Sequence, residues 1–469
     1  MEEDKFDYSF EFEEETLQAV QKFERMSKNN ERCFFDVIEF ESIIDYYIEC
    51  NNPAKAFEAA DLAAEQHPNS TSIQLLRANV LLDKGRAVEA LNLLKKLENI
   101  EADNYELFVS KGMAYGMLGN LQGALKMFDK ALALDEDETE SILFAIIAVL
   151  QEQNYYQAAI PYMLRLIELD PDFKANLYDL AFAYEKVDDF ENSIKYYLEY
   201  LEDDPFSDSA WYNLGIIYNK LDMYEKAMEA YDFALAINSQ NTFALFNKGN
   251  ILNHTENYSE AIQVYHEYLE HEPDSFEAMT YLAECYERID DYALAKKYYQ
   301  EAIELEPNYA DPWFGLGILA FDSGNTEDSL LYFWKAVKLD NENPEFLYLL
   351  GQANLKNGNY QNAIRCFRDA LKLNAYYNEI WCDLGKIIFN ENIVKQAVPY
   401  LEKSYRVMGD VPGINYLLAS LYLHLNIHDK AYKHFSSAVN IEKQAFDEFI
   451  DLFPSETMTK KMKKLIDNP

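Results

Sequence analysis

One periodicity constrains this chain more than any other feature. Small residues at Ala56, Ala90, Ala124, Ala159, Ser193, Ala227, Ala261, Ala295, Ser329, Ala363, Ala397 and Ala431 follow one another every 34 residues, with a single interval of 35. Other residues keep the same phase. Four places after the small residue stands a ring in most copies: Phe128, Tyr197, Tyr231, Tyr265, Tyr299, Phe333, Phe367 and Phe435. Twelve places before it stands Gly or Ala, as at Gly112, Gly215, Gly249, Gly317, Gly351 and Gly385, and twelve places after it proline recurs at 68, 171, 205, 273 and 307. A phase held over most of a chain means one small unit repeated, each copy burying its apolar face on the next.

Within one copy, Trp211, Leu214 and Tyr218 fall at i, i+3 and i+7, one apolar face of a helix. Gly215 on that face carries no side chain, so a second helix, from Glu225 to Ile237, can come close, with Ala227 expected to face Gly215. Leu221-Asp222-Met223 makes the turn, and the late proline cannot continue a helix. The pattern W-x2-L-G-x2-Y … A-x3-F … P resembles the tetratricopeptide repeat. Trp211, Leu214, Gly215, Tyr218, Ala227 and Tyr231 carry the resemblance, with Trp313, Leu316, Gly317 and Phe333, and with Trp381, Leu384, Gly385 and Ala397.

That resemblance implies an all-α fold: a right-handed superhelical α-solenoid of about twelve helix-turn-helix repeats with capping helices at both ends. The copies begin near residues 37, 71, 105, 140, 174, 208, 242, 276, 310, 344, 378 and 412. The expected organisation is an acidic segment and capping helix over 1–36, twelve repeats over 37–443, and C-terminal solvating helices with a basic tail over 444–469. Leu17, Val20, Phe23 and Met26 suggest that the first cap runs from about Glu13 to Lys28, behind the acidic Met1–Glu11. At the other end Gln444–Leu452 is expected to stay helical. Ser455 would N-cap a basic helix with Met458, Met462, Leu465 and Ile466 on one face. This tail either solvates the last repeat or docks on an acidic surface of its own or a neighbouring copy.

Composition narrows the function. There are 82 acidic and 41 basic residues, a net charge of −41. A polyanion repels phosphate backbones and anionic membrane surfaces, which argues against nucleic-acid and membrane partners. The five cysteines, at 33, 50, 285, 366 and 382, form no CxxC and read as reduced thiols of a cytoplasmic protein. No apolar segment follows the acidic start, and the longest apolar run is Ile142–Leu150, far short of the roughly 20 residues a membrane span needs.

No pattern calls for catalysis, a cofactor or a metal. His266 and His271 flank a Glu, but a five-residue step turns about 140° around a helix, away from the i, i+4 geometry zinc requires. His424 and His428 have that spacing without a third ligand. Gly315-Leu316-Gly317 follows no strand and is no phosphate loop. The expected function is therefore a non-enzymatic scaffold or adaptor, with a self-associating scaffold or a regulatory subunit as alternatives.

The first helix of each copy is where a ligand is expected, because in the family that helix lines the concave groove. One place after the Trp position stand Phe144, Tyr178, Tyr212, Phe246, Thr280, Phe314, Tyr348, Cys382 and Tyr416. Neighbouring helices stack about 8–10 Å apart and a polyproline-type peptide advances about 9.3 Å per three residues, so successive rings could meet every third residue of an extended peptide. The same rings could instead pack on their neighbours and finish the inner wall. Asn213, Asn247 and Asn250 offer amides to a ligand's main chain, and Asp179 and Asp383 hold places equivalent to the first two. The lysine clamp that some family members use on acidic C-termini is missing. Glu41, Asp45, Glu49, Glu277, Glu284 and Glu287 stand on these helices, which favours basic or extended aromatic-compatible polypeptides.

Overall fold

The computed structural model describes residues 14–29, 33–135, 137–170, 175–453 and 458–467. Met1–Glu11, Glu13, Pro171 and the cap expected at Ser455 lie outside the described residues. Every regular element among the described residues is helical. The chain divides at Met223 into two compact units.

The first unit opens with α1 (Glu14–Asn29). Five hairpins follow: α2 (Val37–Glu49) with α3 (Pro53–Gln66), α4 (Thr71–Asp83) with α5 (Ala87–Leu97), α6 (Tyr105–Met117) with α7 (Leu121–Leu134), α8 (Thr139–Glu152) with α9 (Tyr156–Leu169), and α10 (Ala175–Lys186) with α11 (Phe190–Asp203). It closes on α12 (Asp208–Lys220). The second unit begins with α13 (Tyr224–Ile237). It continues through α14 (Thr242–His254) and α15 (Tyr258–His271), α16 (Phe276–Arg288) and α17 (Tyr292–Leu305), α18 (Asp311–Asp322) and α19 (Thr326–Leu339), and α20 (Pro344–Lys356) and α21 (Tyr360–Leu373). Then come α22 (Asn378–Asn390) and α23 (Val394–Met408), α24 (Pro412–His424) and α25 (His428–Ile441), the short α26 (Phe446–Phe449), a 3-10 turn at Ile450–Leu452, and α27 (Lys460–Asp467). First helices thus start within one residue of the places the repeat phase sets.

Local chemistry fixes these ends. Ser70, Asn104, Ser207, Asn241, Ser275 and Asn343 each accept a backbone N–H of the first turn that follows them. Every hairpin turn also holds one residue at positive φ, from Asn51 and Gly85 through Glu256 (φ 63°) and Gly324 to Asn392 and Asn426. Within each unit that left-handed step ends the first helix and aims the second back along it. The Trp211, Trp313 and Trp381 indole N–H groups each donate to the carbonyl six residues earlier, at 2.9–3.1 Å, tying each ring to the turn before its helix.

The periodic small residues lie on the packed face of the second helices. All of them are fully buried except Ala397. At Gly112, Gly249, Gly317 and Gly351 the small residue is not what lies over the glycine. The ring four places after the small residue, and not the small residue itself, seats there: a Cβ added at Gly249 would stand 2.7 Å from Tyr265, and one at Gly317 2.5 Å from Phe333. A flat ring needs more room than a methyl group, which suits it to a glycine, although Tyr197, Tyr299 and Phe435 stand in copies that carry Ala181, Ala283 and Ala419 at that place. Burying each such ring contributes about 1.5–3 kcal/mol.

The eleventh hairpin departs from this rule. Leu401 stands where the other complete hairpins of this unit have a ring, Pro399 lies inside α23, Ala397 is partly exposed, and α23 packs on α22 less closely than the partners in those hairpins. Gly385 on α22 is covered instead by Leu452 of the 3-10 turn. The C-terminal segment is also not the continuous helix the sequence suggests. α25 stops at Ile441, and the chain folds back through α26 and the 3-10 turn against α22 and α24. With α22, α23 and α25 on its other sides, every residue of α24 from Pro412 to Leu423 is buried. The basic α27 packs on α25 of its own chain, with Met462 fully buried, and ends the unit.

Candidate functional site

The rings foreseen on the first helices are mostly half-buried, because each leans on the buried ring of its own hairpin and on the next hairpin. In the first unit Tyr178 meets Tyr197 and Tyr200 edge-on at 5.5 Å. The Asn213 amide donates to the Tyr178 hydroxyl at 3.0 Å and to the Tyr197 hydroxyl at 2.9 Å. Both amide hydrogens offered to a ligand are therefore engaged in the wall. Burial, more than neighbouring charge, holds both phenols above their ordinary range, so they stay neutral hydrogen-bonding groups. Tyr212 is half-buried, and Phe144, at 38% exposure, borders a cavity of about 120 Å³ with Met163 and Asp179.

In the second unit Phe246 leans on Tyr268 at 5.2 Å and on Tyr281 at 5.9 Å, and Asn250 accepts the Tyr265 hydroxyl at 2.7 Å. Asn247 is half-buried. Phe314 lies 4.4 Å from Phe346 and 5.6 Å from Phe333. Tyr348 packs on Tyr377 at 5.0 Å and donates to buried Asp383 at 3.2 Å, so that carboxylate is also spent within the wall.

Tyr416 requires a correction. It is fully buried under Phe446, Phe449 and Phe453 and cannot line an open groove. A repeat pattern assigns the ring to the inner face correctly, but it carries no information about a later segment returning to cover that face. The histidine pairs also find aromatic partners: His266 contacts the Tyr286 hydroxyl at 2.9 Å, and His424 lies edge-on to Phe389. Among the described residues no group of three or more His, Cys, Asp or Glu side chains is placed to hold a metal ion.

The most distinctive concavity in the second unit is a cavity of about 500 Å³ between the first helices α16, α18 and α20, bounded on one side by the turn from α14 to α15. Its walls bring together Glu284, Glu287, Asp311 and Glu345 with Phe314 and Phe346, and the one Arg among its lining residues is Arg288. Burial first, and then the nearby Asp311 and Glu287 charges, push the Glu284 carboxyl up to about 7, although an Asn253 hydrogen bond acts the other way. Burial also raises Glu287, against the Tyr299 hydroxyl that donates to it at 3.0 Å. The Arg288 charge acts the other way on both carboxyls, yet burial outweighs it, so a further cation would favour their charged forms. Glu284 and Glu287 were legible from helical spacing. Asp311 and Glu345 belong to later copies and reach the cavity only through stacking.

Sequence comparison bears on the same helices. The tetratricopeptide repeat matches residues 105–138, 149–173, 209–241 and, in overlapping pairs, the whole run from 246 to 412. Together these cover more than half of the chain. The chain is a tetratricopeptide-repeat protein. Such repeats in general serve as protein-interaction scaffolds and not as catalysts. Among solved structures, this tetratricopeptide-repeat protein is similar to PilW, a type IV pilus biogenesis factor, at 22% identity and TM-score 0.39 over 45% of this chain and 96% of that one. It is similar to YrrB, described as a TPR protein with an unusual peptide-binding site, at 20% identity and TM-score 0.33 over 39% and 93%. A Naa15/Naa10 complex bound to HypK-THB aligns at 15% identity and TM-score 0.39 over 91% and 79%. No curated protein matches the sequence. No described helix is long and apolar enough to cross a membrane.

Proposed function

We propose that this tetratricopeptide-repeat protein is a non-enzymatic adaptor that holds a cationic polypeptide segment against the first helices of its second unit, with the cavity between α16, α18 and α20 taking a Lys or Arg side chain. The observation that carries the reading is the pairing of under-neutralised carboxylates, Glu284 and Glu287 above all, with the Phe314 and Phe346 rings in one recess. A long cationic side chain lays its apolar stem on the rings and brings its head among the carboxylates. The net charge of −41 adds long-range attraction for basic partners. The five unpaired cysteines fit a reducing compartment such as the cytoplasm.

The test uses full-length protein and fluorescent peptides, one rich in Arg with interspersed Pro and aromatic residues and one with Glu in place of Arg. The basic peptide should bind, and affinity should fall at least tenfold on raising salt from about 50 to 300 mM, as screening predicts. The paired change Glu284→Gln with Glu287→Gln should weaken it about tenfold or more, at the 1.5–3 kcal/mol scale of a charged hydrogen bond. Equal affinity for both peptides, or an unaffected variant, would remove the cavity from the function.

A further inference from the structure

We propose that residues 444–453 are an intramolecular ligand: they occupy a docking site on α22 and α24 that also accepts, in trans, a short polypeptide with the same aromatic spacing and with cationic residues in place of its acidic ones. Three independent features of the fit support this. The first is the vacated seat. In the other glycine-bearing hairpins of this unit the hairpin's own ring covers the glycine. At Gly385 that ring is missing, α23 stands off, and Leu452 takes the place, 2.5 Å from where a Cβ would be. Leu452 thus does from outside the hairpin what Phe333 and Phe367 do from inside theirs.

The second is the way the segment is gripped. Phe449 stacks on Tyr416 at 5.2 Å, and Phe446 and Phe453 flank the same ring at 5.8 and 6.5 Å. A side chain of the repeat then bonds to the segment's main chain, the Cys382 thiol donating to the Glu448 carbonyl at 3.1 Å, and the Tyr416 hydroxyl donates to the Glu442 carbonyl just ahead of the segment at 3.0 Å. Ring pockets for anchors with hydrogen bonds to a peptide's carbonyls are how a groove holds a bound peptide. Cys382 and Tyr416 occupy the same repeat position as the half-buried Phe246, Phe314 and Tyr348, so the segment fills the surface that remains partly open along those helices.

The third is charge. The segment brings Glu448 toward Glu379 of α22, whose Asp383 is already paired with Lys386, and Glu448 is pushed toward protonation by burial and then by Glu379 and Glu442. Aromatic burial holds the segment in place against that repulsion. A ligand with the anchors of Phe446, Phe449, Leu452 and Phe453, but lysine at the positions of Asp447 and Glu448, keeps the apolar contacts and replaces repulsion by attraction.

The experiment uses the full chain, free of any fragment, with two labelled peptides spanning 442–453: the native sequence and the one carrying Asp447→Lys and Glu448→Lys. Binding is read by fluorescence anisotropy to the wild type and to the variant Phe446→Ala with Phe449→Ala. The variant should bind the lysine peptide at least tenfold more tightly than wild type does, and a peptide with alanine at 446 and 449 should not bind. On wild type, excess lysine peptide should speed hydrogen exchange at 444–453 and expose Cys382 to thiol labelling. Should the variant lose the exchange protection of α24, the wild-type arm decides. Unchanged exchange and labelling there, or no peptide binding to a variant whose α24 remains protected, overturns the proposal. Either outcome leaves the cavity of α16, α18 and α20 unaffected, because no residue is shared.

Discussion

Replacing Gly317 by alanine opposes two effects of similar size, and the structure says which one wins. Alanine is favoured over glycine inside a helix by about 1 kcal/mol. The Cβ it adds at position 317, however, would stand 2.5 Å from Cδ1 and Cε1 of Phe333. Carbon atoms pack well at about 3.5–4 Å, so the ring would have to retreat by about 1 Å. Phe333 is fully buried, with the Phe314 and Phe321 rings 5.6 and 6.3 Å away, and has little room to move. Overpacking of this kind costs about 1–3 kcal/mol, which leaves a net loss of about 0–2 kcal/mol. Gly116 on α6 supplies the control, since its added Cβ would find nothing nearer than Gln153 at 3.8 Å and Val149 at 3.9 Å. Gly116→Ala should stabilise its hairpin by about 1 kcal/mol, so the same substitution acts with opposite sign at two buried glycines. Repeat arrays need not unfold in one step, and a global melting curve would blur the difference. Native-state hydrogen exchange of α18 and α19, against that of α6 and α7, reads each site by itself. A Gly317→Ala protein as well protected around the change as Gly116→Ala would refute the claim that the ring's seat demands glycine.

Two further outcomes follow from single residues. Glu256 turns the chain at φ 63°, where an L side chain costs about 1–2 kcal/mol and glycine costs nothing sterically but loses more chain entropy. Glu256→Gly should therefore raise exchange protection of α14 and α15 by about 0.5–1 kcal/mol, and lower protection would contradict it. Glu284 titrates near 7 in the fold against 4.5 for an unstrained glutamate. Between those two values the unfolded chain ionises while the folded one stays neutral, so this group's contribution to stability is full below about 4.5, declines as pH rises, and is gone above about 7. Glu284→Gln should leave stability at pH 4 nearly unchanged and raise it at pH 8 by about 2 kcal/mol, after allowance for solvent reaching a partly open carboxyl. A pH-independent difference between variant and wild type would show that burial does not govern this carboxylate.

Much of the fold was legible in the sequence because a repeat repeats its physics. The small residue, the ring four places on and the glycine twelve places back are local requirements of one hairpin, and every copy states them again. The starts of the first helices could be located to within a residue for that reason. The left-handed turn residue keeps the same phase, at Asn51, Gly85, Gly119, Asn154 and onward, and composition alone gives it away only where it is Gly or Asn. The candidate site was legible in part. The rings at 178, 246, 314 and 348 stand where helical spacing puts them, but part of what covers them comes from the next copy, at Asn213, Tyr281, Phe346 and Tyr377, and that part decides how much ring remains for a ligand. Asn213 shows the limit: its residue type suits a ligand's backbone, yet two tyrosine hydroxyls from the preceding hairpin already take its amide hydrogens.

By itself the sequence determined the unit, its period, its helical class and its acidic surface, because each of these depends on residues within about 34 positions of one another. Tertiary structure decided what covers each face. It set Asp311 and Glu345 beside Glu284, and it folded Phe446, Phe449 and Leu452 back over Tyr416 and Gly385. Burial and repulsion act between residues that are neighbours in space only. A periodic pattern specifies which way a side chain faces and leaves open what arrives to meet it.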